Sequence, residues 1–146
     1  MKLNEECLRS ILVYLHNNLD VSVYDDKCCF LQISVQDLVD KFCKQYSIKD
    51  IWYSVYNLAV CGMIEGIDSS RYDKSRLTEQ FIRNLSYRGL QFASNIETDT
   101  TWNKIKSIIS RVGSHSLNFI ETVAHDLIVE MGKQSITIMM TQQPQQ

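Results

Sequence analysis

The chain has 146 residues, of which 45% are apolar and 22% charged, and it carries a net charge of −2 at neutral pH. This composition predicts one globular domain that is large enough to bury a core, and the slight acidity argues against a generic nucleic-acid binder. No run approaches the roughly 18 to 20 apolar residues of a membrane span. The start MKLNEECLRS lacks the pattern of a signal peptide, and five cysteines without a C-x-x-C pair favour reduced thiols. We therefore expect a cytoplasmic protein that does not enter a membrane.

The first predicted helix is NEECLRSILVYLHNNL, in which leucine and isoleucine recur at the spacing of one helical face. Asn4 is placed to cap its first turn. The following stretch DVSVYDDK is interpreted as a polar turn, and CCFLQI as a short buried strand. Cys7, Cys43 and Cys61 are interpreted as small core residues on helices, the common environment of a free cysteine.

Two helices then begin with the same S-x-x-D pattern, at Ser34 and at Ser47, where the serine caps the helix and the acid interacts with the free amides. The connection between them, around KQYS, is short, so the pair predicts a helix-turn-helix unit. On the second of these helices the residues predicted to point inward are Ile48, Ile51, Trp52, Val55 and Leu58.

Gly62 is predicted to end that helix, after which MIEGID and RLTEQFIRNL read as two strands joined by the turn SSRYDKS. A helix capped by Ser86 follows, YRGLQFASNI. The helix TWNKIKSIISRV, capped by Thr98 or Asp99, is predicted to stop at Gly113, and the last helix to start at Ser114 or Ser116. The tail TQQPQQ is low in complexity.

This order of elements predicts an α+β, mainly α fold. The expected arrangement is a winged helix-turn-helix domain over residues 1–97 with two additional C-terminal helices in residues 98–133 and a flexible tail over residues 134–146. Each of the two helices has an apolar stripe that has to pack somewhere, so they either complete the domain or form a homodimer interface.

Several motifs also resemble known families. WYSVYNLAVCGMI resembles the third helix of winged-helix proteins, and LSYRGLQFASNI resembles the segment that follows the wing in many winged-helix regulators. More closely, the opening MKLN, the Y-x-x-x-x-L helix, the G-x-x-F segment, DTTWNKIK and the S-L-x-x-I helix resemble an uncharacterised family of small phage, prophage and Firmicutes proteins. The resemblance spans nearly the whole chain and implies a winged-helix-like fold without implying an activity.

Two short segments carry the candidate nucleic-acid-binding residues. A recognition helix reads base edges with polar and basic side chains, and a wing contacts phosphates or the minor groove. The third helix offers Lys49, Tyr53, Ser54 and Asn57, and the tip of the hairpin offers Arg71, Tyr72, Lys74 and Arg76. Arg83 and Arg88 flank the tip and are expected to extend its basic patch. An ordinary solvated helix face and a solvated turn remain the alternatives for both segments.

Two functions are therefore open: a regulatory DNA-binding protein of phage or prophage type, or a winged-helix module that binds and modulates a host or defence protein. The second is supported by the net acidity and by the aromatic face around Tyr53 and Tyr56. The sequence contains no nucleophile elbow, P-loop, dinucleotide fingerprint or metal-ligand spacing, so we expect no enzyme activity, cofactor or metal. Trp52 and Trp102 are expected to pack in the core.

Overall fold

The computed structural model describes residues 1–142, and this part of the chain forms an α+β, mainly helical protein. Its six α-helices are α1 Glu5–Asn18, α2 Val35–Phe42, α3 Ile48–Val60, α4 Tyr87–Ile96, α5 Asp99–Val112 and α6 Leu117–Thr141. Its strands are β1 Asp20–Tyr24, β2 Lys27–Leu31, β3 Ile33–Ser34, β4 Ile64–Glu65, β5 Phe81–Ile82 and β6 Asn84–Leu85. Within these residues no helix has the length and apolarity needed to cross a membrane.

The helices begin where the sequence predicts, because the capping side chains bind the free amides of the first turn. The N-cap residues that accept such a hydrogen bond include Asn4, Ser34, Ser47 and Ser86. Ser34 and Asp37 form a complete capping box. Gly62 and Gly113 follow α3 and α5 with φ of 70° and 78°, the left-handed conformation that ends helices.

Residues 81–85 connect two small antiparallel sheets. Ile82 pairs with Ile33 of β3, and Leu85 pairs with Ile64 of β4. Arg83 lies between the two pairings and donates its amide to the carbonyl oxygen of Glu65 at 2.8 Å. One extended segment thus joins the strand before α2 to the strand after α3.

Between α1 and β3 the sequence-based interpretation was wrong. DVSVYDDK is strand β1 and its turn, and the predicted buried strand CCFLQI is largely the exposed strand β2. Together β1 and β2 form a hairpin whose turn holds Asp25 and Asp26 at positive φ. All ten strand residues are exposed, and the buried strand is the shorter β3. Alternation places Cys28 and Cys29 on opposite faces of the ribbon.

The predicted returning strand RLTEQFIRNL was too long. Residues 66–80 form an irregular loop that ends in a short 3-10 helix, Leu77–Glu79, and strand pairing starts only at Phe81. The side chain of Gln80 is buried, and its carbonyl oxygen accepts the amide of Val35 at 3.0 Å. This contact ends the loop against the first turn of α2.

The core lies between α1, α2, α3, α4, α5 and the first half of α6. Trp102 is buried, as predicted, and donates its indole N–H to Glu6 at 3.1 Å. Cys7 is also buried, whereas Cys43 and Ile48, predicted to be in the core, are exposed. Both lie at the ends of their helices, next to the short α2–α3 turn, where no other element covers them. All five cysteines are free thiols.

The end of the chain is helical further than expected. Helix α6 continues to Thr141, so it includes most of the segment predicted to be a flexible tail. The rest of that prediction concerns residues 143–146, which lie outside the described residues. The buried residues of α6 are Leu117, Ile120 and Ala124, all in its first half.

Candidate nucleic-acid interface

One face of helix α3 is buried in the core, and the opposite face is exposed to solvent. Ile51, Ser54, Val55 and Leu58 are buried against the rest of the core. Ser54 was therefore wrongly predicted to lie on the reading face, since no part of it is accessible to solvent. Its hydroxyl lies beside the thiol of Cys7 on α1, and burial raises the pKa of that thiol to about 11.

Tyr72 is the second predicted contact residue that the structure removes from the surface. Only 3% of it is exposed, and burial raises the pKa of its phenol. Its hydroxyl donates to the backbone carbonyl oxygen of Trp52 at 3.1 Å, and its ring lies 4.3 Å from the Trp52 ring and 6.0 Å from the Tyr56 ring. Tyr72 thus fastens the 66–80 loop to α3. The sequence contained one indication of this contact. Trp52 and Tyr56 are four residues apart, so one turn of α3 places both rings on the same side of the helix.

The basic residues of the loop, in contrast, lie at the surface. Arg71, Lys74 and Arg76 are exposed, and none of them forms a salt bridge with another residue of the described 1–142 segment. Three acids, Asp68, Asp73 and Glu79, lie in the same loop, so its formal charge is balanced. Asp68 is engaged in a turn, where hydrogen bonds from the hydroxyl and amide of Ser70 lower the pKa of its carboxyl.

Arg88 does not extend this patch. Its guanidinium donates to both carboxylate oxygens of Glu121 on α6, each at 2.6 Å, and to the carbonyl oxygen of Cys61 at 2.6 Å. The hydrogen bonds that Arg88 donates to Glu121 raise the pKa of Arg88. This arginine therefore ties α6 to the end of α3. Arg83 is exposed but lies 5.7 Å from the centre of the Phe30 ring, a cation–π distance.

The remaining candidates on α3 occupy two neighbouring surfaces. Lys49 is exposed near the start of the helix, and Tyr56 stacks on Tyr53 with 6.5 Å between ring centres. Asn57 donates its side-chain amide to the carbonyl oxygen of Tyr53 at 2.7 Å. Tyr53 and Asn57 also line an open cleft of about 670 Å³ whose other walls are residues 1–3, Cys61 and residues 115–118.

The eight predicted residues therefore separate into three groups. Ser54 and Tyr72 are interior, Tyr53 and Asn57 face the cleft, and the four basic residues Lys49, Arg71, Lys74 and Arg76 are exposed. Tyr72 holds the loop residues beside α3, a contact that the sequence analysis did not predict. Among residues 1–142, no group of three or more histidine, cysteine or acidic side chains is placed to hold a metal ion.

The class that the fold and this surface define is a mainly helical α+β protein with a loop docked on its third helix. A family model described as "Hypothetical protein (DUF2513)" matches residues 2–115, and the chain belongs to that family. The match covers α1 to α5 and ends just before α6. Searches of curated proteins and of solved structures gave no match.

Proposed function

We propose that the protein is a winged-helix protein that binds double-stranded DNA through α3 and the 66–80 loop. If the β1–β2 hairpin is treated as an insertion, the order α1, β3, α2, α3, β4, β5–β6 and the short α2–α3 turn match the order expected of a winged helix and support the proposal. In this proposal the 66–80 loop is the wing. The motif resemblance to winged-helix regulators supports a regulatory role of phage or prophage type.

The observation that carries the proposal is the contact between Tyr72 and Trp52. Arg71 is the chain neighbour of Tyr72 and Lys74 lies two residues after it, so the buried ring holds these two cations close to α3. A loop that is already ordered loses less conformational freedom when it binds. The loop and the helix thus form one preorganised surface instead of two independent segments.

The side chains on that surface favour contacts with the DNA backbone over base reading. Lys49, Arg71, Lys74 and Arg76 are suited to phosphates, and a tyrosine hydroxyl such as that of Tyr53 binds phosphate or sugar. Asn57, the side chain best suited to adenine, already uses its amide within the helix. We therefore expect binding that depends strongly on salt and weakly on sequence.

The test is a fluorescence-anisotropy titration of duplex DNA at several salt concentrations. Replacing Arg71, Lys74 and Arg76 by glutamine removes three phosphate contacts, so the slope of log K against log salt should fall by about 2.7, at roughly 0.9 per contact. A matched control replaces Lys27, Lys104 and Arg111, which are exposed cations outside this surface.

The control variant should keep the slope of the wild type. Equal slopes for the wild type and the loop variant would rule out the loop as a DNA contact. Absence of wild-type binding to duplex DNA at low salt would overturn the proposal as a whole.

A second candidate function, docking of a host or defence protein without catalysis, is favoured by a different observation. Ile48, Tyr56 and Val60 on α3 are 53%, 39% and 56% exposed, an apolar surface with the aromatic character of protein-binding hot spots. A Tyr56→Ala/Val60→Ser variant should lose such a partner in capture from nuclease-treated lysate, whereas the loop variant should retain it. Capture that fails only for the loop variant would count against this candidate.

A further inference from the structure

Helix α6 has two halves with different surroundings. Its first half packs on α4 and α5, and Glu121 binds Arg88. From Val129 to Thr141 the structure contains no buried residue, although the helix continues for more than three turns. An isolated helix of this length is marginal in water, since helices shorter than about 12 to 15 residues depend on packing. Packing on a further surface would therefore stabilise this projecting half.

The projecting half has one mainly apolar face, and the exposed Ile138 lies outside that face. At 100° per residue, the side chains that share it lie around Gly132, and they are Ile128, Val129, Ile136, Met139 and Met140. We call these residues and Gly132 the α6 strip. Glu130, Gln134 and Thr137 lie on the opposite side of the helix. Lys133 lies at the edge of the α6 strip. Ile136, Met139 and Met140 are 59%, 69% and 70% exposed.

A groove leads directly into the α6 strip. It is an open channel of about 360 Å³ between α4 and α6, and its lining residues are Leu90, Gln91, Ser94, Asn95, His125, Ile128 and Val129. Leu90 is exposed there as well. The groove and the strip together make one continuous, mostly apolar surface that runs from α4 to the end of α6.

We propose that a second copy of this chain covers that surface, with the two α6 helices antiparallel and the twofold axis near Gly132. Each copy then supplies both the projecting helix and the groove that receives it, so the contact is isologous and closed. Among residues 1–142, no atom outside the helix backbone lies within 4 Å of the position of a Cβ at Gly132, so this residue leaves room for close approach of the partner helix. The α6 strip itself carries no charged residue, and Lys133 at its edge can extend its ammonium group into solvent beside the axis.

The area is sufficient for such a dimer. The large exposed apolar side chains of the α6 strip and Leu90, counted on two copies, supply on the order of 1,000 Å², near the lower limit for a specific interface. One copy carries on the order of 500 Å² of this surface, the size of the largest apolar patch on a typical monomer, and such patches are often functional. The inference is independent of DNA binding, since it concerns α6 and not α3 or the 66–80 loop.

The experiment is sedimentation velocity or light scattering of the full chain between about 1 and 100 μM. The wild type should have twice the 17.0 kDa mass of the chain. Ile136→Glu/Met139→Glu places two charges on the α6 strip and should raise the dimer Kd by at least about 30-fold, the effect of losing one hot-spot contact. Gln134→Glu/Thr137→Glu adds the same charge to the opposite side and should leave the dimer intact.

A Gly132→Phe variant separates packing from folding, because a Cβ at this position has open space among the described residues and the ring obstructs the close approach of the second copy. The Gly132→Phe variant should be monomeric. Its melting temperature should match that of the Ile136→Glu/Met139→Glu variant, which we call the α6 strip variant. A wild-type mass of 17.0 kDa at 100 μM would overturn the inference. It would also be overturned by a dimer that persists in the α6 strip variant, or by dissociation of the control variant.

Discussion

The 66–80 loop and the β1–β2 hairpin both lie beside the strands around α2 and α3, yet they are attached to the protein in different ways. The hairpin has a regular ladder of five residue pairs, and the loop has only turns and a short 3-10 helix. The loop nevertheless buries Tyr72, whereas every strand residue of the hairpin is exposed. Phe30 of the hairpin contacts Arg83, which lies between β5 and β6, through a cation–π pair.

The comparison indicates that a buried aromatic side chain attaches a surface segment more firmly than its own secondary structure does. A two-stranded hairpin is marginally stable in water, because it satisfies its backbone but buries little apolar area. A buried tyrosine ring removes much more area from water and adds a hydrogen bond. Three predictions test this difference, in order of expected effect.

Of the three substitutions, Tyr72→Ala should lower the free energy of unfolding most. Removing the ring from its contacts with Trp52 and Tyr56 should lower the free energy of unfolding by about 3 kcal/mol, the usual range for a buried aromatic residue. Tyr72→Phe keeps the ring and removes only the hydrogen bond to Trp52, so about 1 kcal/mol is expected. Urea unfolding followed by circular dichroism measures both. A loss below 1 kcal/mol for the alanine variant would mean that Tyr72 does not anchor the loop.

Gly66→Ala should cost about 2 kcal/mol, since Gly66 starts the loop at a φ of 106° that alanine adopts only with strain. Its new Cβ would also lie 2.6 Å from the carbonyl oxygen of Phe81, which is fixed by the β3–β5 pairing. Gly62→Ala is the matched control, because it has a positive φ but open space around the Cβ position. Its cost should be about 1 kcal/mol, the left-handed backbone contribution alone. Thermal unfolding of the two variants, compared at one temperature, gives the difference, and equal losses would contradict the predicted collision.

Phe30→Ala should lower the free energy of unfolding least, by less than about 1 kcal/mol, because Phe30 is 40% exposed and forms an exposed cation–π pair with Arg83. The same urea titration used for Tyr72 provides a direct comparison of the two aromatic residues. Val23→Ala, on the same face of the hairpin, serves as the control and should be close to neutral. A loss for Phe30→Ala as large as that for Tyr72→Ala would eliminate the distinction between the two segments.

A second comparison, within the basic segment of residues 69–88, shows why local charge is a poor guide to a binding surface. Arg71 and Arg88 contribute equally to the positive charge of that segment in the sequence. In the structure Arg88 binds Glu121 and the carbonyl oxygen of Cys61, so its charge is used to attach α6. Arg71 has no such acid among the described residues and remains available to a ligand.

The sequence by itself determined the helices, their starts and much of the core. Capping at Asn4, Ser34, Ser47 and Ser86 and chain reversal after Gly62 and Gly113 involve atoms within a few residues of one another. The apolar stripes likewise follow from helical periodicity, and Trp102, Ile105 and Ile109 are buried as their spacing predicts. The family resemblance rests on the same local patterns.

Only the tertiary structure decided which of the polar and aromatic residues lie at the surface. Ser54 is interior because α1 brings Cys7 against it, and Tyr72 is interior because the chain returns over Trp52, 20 residues earlier. The hairpin is exposed because the two-residue strand β3, and not β2, pairs with β5. Burial depends on which segments, distant in sequence, pack against each other. The periodicity of a single segment does not determine those tertiary contacts.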